Sequence, residues 1–510
     1  MSDSNDWSHG YPVGESYPAS WHGFQSPAHL RAICALMGVI WEVGPGKPMC
    51  IAEVGCGTGY TALVLAAGNP GCQVIGMDYN PAHIAEARSM AEAAGIDNAT
   101  FLEVDLSQLD GRALDDLPEF DLVTAHGLWS WVADPVRDGV LKLLQRRLKP
   151  GGVAMISYNA LPASAAGLGL ARLVRPAMSS SLDSDEAAAV ASKLVARVVA
   201  ADAPHMPNSL FRKMFMGQVE AVRPGYLRHE FQTEHWRPSF HSDMARAMAS
   251  ARCDYVGSAT IDENFPQMSL SPAQVELWNE APDLQARELL FDLFVARGFR
   301  RDVYVRGARH APRNLMVDAL WLAPISHWDG EVKLRTQAGE AQLPRSLIDT
   351  VRQALLAAPR TVGELRALPG MGNATPSELL AMLVGSGLAM PLWRPDGVGA
   401  SMEPAMAAAR KLNAVAASRL APHGVGGGTL ALATPLVAGG LACGPLELAV
   451  AALLPTLATS GRSEVSLDEV IKHLVPPGPP IADDIIAGVR EQVQALLAHR
   501  LPVWRTLGIV

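Results

Sequence analysis

The sequence predicts an α/β fold, a parallel sheet with helices on both faces, extended by a mainly helical middle region and a helical C-terminal region. Three observations predict it. Met49 to Val54 is a short apolar run carrying Glu53, followed by Gly55, Gly57 and Gly59 and then a helical pattern, which reads as strand, tight turn and helix. A second apolar run, Gln73 to Met77, ends in Asp78, 23 positions after Gly55. Beyond it, strand-like and helix-like segments alternate as far as Asn159, the order that builds a parallel sheet.

Glycines at alternate positions let the first turn bend sharply and approach a ligand closely. An acidic residue about 20 positions later is where a nucleotide ribose is bound through its hydroxyls. Glu53 stands before the first glycine, and no glycine is spaced for a pyrophosphate. A carboxylate there repels a pyrophosphate and suits a cationic ligand. S-adenosyl-L-methionine (SAM), with its sulfonium and α-ammonium, fits Glu53 better than a dinucleotide does. Cys56 lies inside the turn, its thiol read as packing rather than chemistry.

Asn98 to Ser107 reads as a third strand ending in Asp105, and Phe120 to Gly127 as a fourth, entered by Asp121. A helical pattern from Asp134 to Leu148 follows, stopped by Lys149-Pro-Gly-Gly152, and Val153 to Asn159 is the next strand. Ligands of such sheets sit at the carboxyl ends of the strands. Glu53, Asp78, Asp105, His126 and Tyr158 all fall at or near those ends.

The glycine turn, Asp78 and the signals that follow resemble class I SAM-dependent methyltransferases. The resemblance implies a Rossmann-like sheet and SAM as cofactor. It implies that Asp105 meets the adenine amino group and the Leu106 amide meets the ring. With these, Glu53, Gly55, Cys56, Gly57, Gly59, Asp78, Tyr79, His126 and Gly127 form the expected cofactor site. The Tyr17-to-Pro27 lead-in, Ala125 to Val132, Ile156 to Pro162, Tyr226 to Phe231 and Phe299 to Asp302 are similar to a narrower group. That group is the bacterial methyltransferases carrying a methyltransferase regulatory domain, similar to outer-membrane-protein lysine methyltransferases. The matches span 11 to about 305, and imply a substrate channel between a methyltransferase core, a helical middle domain and a winged-helix-like C-terminal part. The chain departs from that pattern at Pro162-Ala-Ser, where Pro-Gly-Trp is expected. It also lacks the Asn-Pro-Pro-Tyr motif of many amine methyltransferases after the fourth strand.

The expected organisation is an aromatic lead-in or lid over 1–40, a SAM-binding domain over 41–165, a helical regulatory domain over 170–325 and a C-terminal domain over 330–510. The lead-in reads equally as packing on the sheet edge and as a lid whose aromatics close over the methyl group; aromatic faces attract sulfonium and alkylammonium groups. In the C-terminal part, helical patterns at 347–358, 361–368 and 375–385 end in an apolar run at 387–393. They are echoed at 448–457, 466–474 and 483–499, ending in Leu501-Pro-Val-Trp504. A duplicated winged-helix unit, with a strand after each third helix, is the expectation. Few basic residues fall in the third helices, which favours protein contact, scaffolding or homodimerisation.

At 510 residues the chain exceeds one ordinary core. Its 49% hydrophobic and 18% charged residues describe a globular protein. A net charge of −9 argues against general nucleic-acid binding and leaves a basic protein open as substrate. The six cysteines show no metal-ligand spacing, so no metal is expected, and free buried thiols point to a reducing, cytoplasmic setting. No signal-peptide pattern opens the chain. Thr429 to Ala458 is apolar but carries Glu447, Pro435 and Pro445, and reads as two buried elements joined at Gly444-Pro445, not as a membrane insertion.

The function expected is methyl transfer from SAM to lysine side chains of a protein by in-line displacement. The alternatives are a small-molecule N- or O-methyltransferase with a regulatory or dimerising C-terminal domain, and a SAM-binding regulator. His126, Tyr158 and Asn159 are the candidate catalytic residues that position the acceptor, against the reading that they only order loops. Tyr11, Tyr17, Trp129 and Trp131 are the candidate substrate-binding residues. His229-Glu230 and Glu234-His235 lack a metal-binding spacing and read as a helical salt-bridge face.

Overall fold

A seven-stranded sheet organises the chain. The computed structural model describes residues 19–510 except 110, 220–221, 327–330, 337–338, 373, 396–401, 424–428, 459–465 and 475–482. Tyr11 and Tyr17 lie outside the described residues. The strands are β1 (Cys50–Val54), β2 (Gln73–Asp78), β3 (Ala99–Glu103), β4 (Phe120–Ala125), β5 (Leu148–Asn159), β6 (Cys253–Ser258) and β7 (Phe299–Arg306), in the order β3-β2-β1-β4-β5-β7-β6. β1 to β5 are parallel, and β7 and β6 are added antiparallel. The reversal of strand order beside β1 opens the crevice where such sheets bind ligands.

The parallel half forms as its pattern predicts. All five residues of β1 are buried, because helices cover both faces. The middle region is less purely helical than its pattern indicates, for it supplies β6 and β7 to the same sheet. β7 reads Phe-Arg-Arg-Asp-Val-Tyr-Val-Arg, and its charges disguise a central strand. Arg300, Asp302 and Tyr304 point to one face and are fully buried. There Arg300 Nε donates to Asp302 Oδ1 at 3.0 Å, Nη1 to Asp292 Oδ2 at 2.8 Å and Nη2 to Glu288 Oε2 at 2.7 Å. Asp302 Oδ2 also accepts the Tyr158 hydroxyl at 2.6 Å and meets His241 Nδ1 at 3.1 Å. Burial alone would raise the Asp302 carboxyl; the Arg300 guanidinium and the His241 and Tyr158 bonds hold it well below the usual carboxylate range.

Helix α1 (Pro27–Leu36) is capped by Ser26, and helix α2 (Tyr60–Gly68) begins at the glycine turn. Every residue of α2 is buried, because the C-terminal region lies on its outer face. The Tyr60 hydroxyl donates to the Ala431 carbonyl and accepts the Ala431 amide, and Asn69 Nδ2 donates to the Ala438 carbonyl. A Cβ on Gly68 would stand 2.3 Å from the Gly439 amide nitrogen. This close approach makes the C-terminal hairpin, Leu430–Thr434 with Gly439–Cys443, a wall of the cofactor helix. The 429–458 segment is therefore that hairpin and the helix Pro445–Ala458, joined at Gly444.

The first C-terminal unit matches its pattern: helices Arg345–Ala357, Val362–Arg366 and Pro376–Gly385, with Ala389–Leu392 pairing against Trp321–Pro324. The proposed echo fails at its end. Leu501–Thr506 is a helix, not a strand. Pro502 suits a first helical turn, and Val503, Trp504 and Leu507 bury one helical face. The helix Glu403–Leu420, which packs on α2, is absent from the expected pattern. All six cysteines are free and buried. Among the described residues no helix is long and apolar enough to cross a membrane.

The buried ion network gives a stability prediction. Arg300→Met leaves Asp302 and Asp292 without their main counter-charge, so the unfolding free energy should fall by about 3–5 kcal/mol. Urea unfolding compared with wild type checks this; a change below about 1 kcal/mol would show that the network does not hold β7 in place.

Candidate active site

The glycine turn builds the first pocket. Gly55, Gly57 and Gly59 have φ of 72°, 54° and 77°, in the left-handed region. Gly59 is further constrained, since a Cβ would meet Phe101 at 2.5 Å and Ala87 at 2.6 Å. The turn folds back on β2: the Gly55 and Cys56 amides both donate to the Met77 carbonyl. Asp78 then receives the Gly57 amide on Oδ2 and the Asn80 amide on Oδ1, each at 2.9 Å. Its carboxylate is thus oriented before any ligand arrives. Asp105 caps the next turn, Oδ1 accepting the Ser107 amide at 2.9 Å. Glu53, Gly55, Cys56, Gly57, Tyr79, Leu106, His126 and Gly127 line the same pocket with Asp78 and Asp105. Gly59 lies at the base of the turn as the N-cap of α2 and does not border it. The Cys56 thiol is buried and pushed far up by desolvation, as packing requires.

Glu53 is the electrostatic centre of this pocket. It is 5% exposed, and its Oε2 has no hydrogen-bond partner among the described residues. Burial pushes its carboxyl up to about 8, with the Asp78 charge adding to the rise and the Ala62 amide and Gln25 opposing it.

A second, roomier pocket of ≈ 790 Å³, against ≈ 160 Å³ for the first, opens alongside. His22, His126, Gly127 and Trp131 border both, so they form the passage between them. His126 Nδ1 pairs with Ser157 Oγ at 2.8 Å, and Ser157 Oγ accepts the Gly127 amide at 2.9 Å. The His126 ring stacks with His22 (4.0 Å between centroids), Phe24 (4.9 Å) and Phe299 (5.6 Å). Burial, then His22 and Arg301, hold His126 well below the usual histidine range, and His22 is lowered to about 4 by burial and Arg301. Both rings are neutral at pH 7. Within the described part of the lead-in, Trp21 and Ala28 are buried, His22 borders both pockets, and Phe24 packs against the His126 ring.

Two expected site residues, Tyr158 and Trp129, lie elsewhere. Tyr158 is fully buried on the opposite face of β5, its hydroxyl on Asp302. Side chains alternate along a strand, so Ser157 faces the passage and Tyr158 faces away. Trp129 belongs to the core below β4, and only Trp131 borders the pockets. Asn159 does line the second pocket, where its Oδ1 accepts the Trp236 indole at 3.1 Å. His229 and Glu230 are not a solvated salt-bridge face: both line the second pocket, and His235 lines the first. Glu230, Phe299 and Arg301 line the second pocket and are absent from the expected site residues, while His22 of the lead-in borders both pockets. Alternation along β7, with Arg300 and Asp302 on the other face, was the signal available for Phe299 and Arg301.

Comparison with known proteins agrees with this geometry. Residues 46–196 match the model of a methyltransferase domain, and 223–306 that of a predicted methyltransferase regulatory domain. An uncharacterized protein of Synechocystis is 28% identical over 369 residues, 71% of each chain. Trans-aconitate 2-methyltransferase of Deinococcus radiodurans is 31% identical over 146 residues, 28% of this chain and 49% of that protein. The structure of PKMT2 from Rickettsia typhi in complex with AdoHcy superposes with a TM-score of 0.68 at 15% identity, covering 96% of this chain and 100% of that one. The pocket fits SAM: the Glu53 oxygen without a partner among the described residues suits an ammonium donor, and the Asp78 carboxylate, oriented by two backbone amides, suits hydroxyl donors.

Two substitutions separate the pocket from its support. Asp78→Ala should abolish SAM binding in calorimetry while the protein remains folded. Tyr158→Phe should lower stability by about 1–3 kcal/mol, through loss of a hydrogen bond to a buried carboxylate, and leave the KM for SAM within about twofold. A turnover loss without a stability loss would return Tyr158 to the acceptor site.

Proposed function

We propose that this SAM-dependent methyltransferase, with its methyltransferase regulatory domain, transfers methyl groups to lysine side chains of a protein. The observation that carries the reading is the pair of pockets. A polar cofactor pocket meets a larger one through an aromatic passage at His126, and the larger one has room for a long side chain with a cationic head. The sequence resemblance to outer-membrane-protein lysine methyltransferases and the fold shared with PKMT2 support it.

When bound, SAM supplies an activated methyl group on its sulfonium. In this reading Glu53 holds the ammonium, Asp78 with Tyr79 the ribose, and Asp105 and Leu106 the adenine, over Gly55 and Gly57. His126, Gly127 and Trp131 line up the acceptor nitrogen, with Asn159 behind them. Methyl transfer of this kind needs orientation and a dry site more than acid–base power at the sulfur. The neutral His126 and His22 rings serve that need, because they bring no positive charge against a sulfonium. The region 170–325 shapes the acceptor pocket, and 330–510 buttresses α2.

Incubation with methyl-labelled SAM and a size-fractionated bacterial extract tests the reading. Label on lysines of a discrete protein supports it; label confined to small molecules overturns it. A second prediction concerns protons. The Glu53 carboxyl lies near 8 in the free protein against an ordinary 4.5, so the native state holds the extra proton between those values. Stability of the free protein should therefore decline as pH rises through that window. An ammonium at Glu53 restores the carboxylate, so SAM binding at pH 7 should release about one proton in calorimetry across buffers of different ionisation enthalpy. Glu53→Gln should remove that release and weaken binding by about 10- to 100-fold.

A further inference from the structure

Among the described residues, the second pocket is lined by one acidic side chain, which the cofactor site does not use. Glu230 comes from helix Pro224–Phe231 of the regulatory region and lines the pocket together with His126, Asn159, Phe299 and Arg301. Its carboxyl is hydrogen-bonded by the side chains of Tyr226 and Trp131. Trp131 in turn borders the passage to the cofactor pocket. Glu230 is thus linked through Trp131 to the passage between the two pockets. The opposite charge stands on another wall, where the Arg301 guanidinium lies 4.7 Å from the Phe24 ring centre and 5.3 Å from that of Phe299.

We propose that Glu230 binds the acceptor's ammonium group and takes its proton, so that the free amine enters the passage beside His126. The step is balanced: one N–H bond of the ammonium breaks, its proton passes to a Glu230 oxygen, and the nitrogen lone pair is freed to form the N–CH3 bond as the sulfonium's C–S bond breaks. The inference rests on the amine-acceptor reading above. It adds a base that the reading itself does not require.

The pocket's electrostatics agree with the assignment. Burial pushes the Glu230 carboxyl up to about 7, against the pull of Tyr226 and Trp131, so it exchanges a proton near neutrality. His22 and His126 are already neutral there, and Arg301, though lowered by burial, stays charged. Arg301 disfavours an ammonium in the passage and so drives the proton back toward Glu230. His229 is the adjoining titratable residue of the same pocket. Helices Ala165–Met178 and Ser184–Ala200, packed against that of Glu230, carry Arg172, Arg175, Asp185, Glu186, Lys193 and Arg197.

The test uses the full chain, SAM and a library of synthetic dodecapeptides with one central lysine each. Wild-type kcat/KM should rise with pH through an acidic limb near 7, as the Glu230 carboxylate forms. Glu230→Gln should bind SAM normally, lose about 100-fold or more in kcat at pH 7, and regain rate as pH approaches the lysine amine's own value of about 10.4. Glu230→Asp, which keeps the charge, should recover part of the loss and the acidic limb, which a purely structural role would not restore. His229→Gln should keep the limb. A Glu230→Gln enzyme with the wild-type rate and pH profile overturns the proposal, as does transfer of the limb's loss to His229→Gln. If wild type binds SAM and methylates no peptide lysine, the protein-lysine reading fails instead, and this inference with it.

Discussion

Strand β7 carries two surfaces at once, and what fixes its orientation is the burial of Arg300 and Asp302. Neither charge can be removed from water without a partner, because an unpaired buried ion costs several kcal/mol. Only the face toward Asp292, Glu288 and His241 supplies those partners. Once Arg300 and Asp302 are committed there, the two-residue period of a strand sends Phe299 and Arg301 to the other face. That face is the wall of the second pocket. A network away from the pockets thus decides which side chains line the second pocket, and ties the regulatory region to the cofactor sheet through β5.

The two pockets treat charge differently. In the first, carboxylates gather: Glu53 is buried with an unpartnered oxygen, and Asp78 is pre-oriented by two backbone amides. In the passage charge is suppressed, since burial and Arg301 keep His22 and His126 neutral. Such a gradient suits a cationic cofactor held at one end and, in the function proposed above, an uncharged amine in the middle. A low-dielectric environment disfavours an ammonium and favours the amine.

The C-terminal region is part of this arrangement through α2. A helix that is apolar all round must be covered on every side, and the hairpin Leu430–Thr434 with Gly439–Cys443 supplies the last cover. The Gly68–Gly439 contact is so close that no larger residue fits without displacement. The turn that holds the cofactor is therefore set from below by the sheet and from outside by the C-terminal hairpin.

Local chemistry was legible in the sequence. The glycine turn, Asp78 and Asp105 follow from spacing and from the conformations glycine permits, so the parallel half of the sheet and the first pocket could be placed without coordinates. Leu501-Pro-Val-Trp504 shows a limit: a short apolar run is compatible with either period, and packing of Trp504 chose the helix. The second pocket was not legible, because it is assembled from the lead-in, the loop after β4, β5, β7 and the helix Pro224–Phe231, segments far apart in the chain. The parity of Ser157 against Tyr158, and the half-buried setting of Glu230, depend on which neighbours close each face. The sequence by itself determined a cofactor turn whose geometry is local. The tertiary structure decided the second pocket, because burial and charge pairing there are properties of contacts between distant segments.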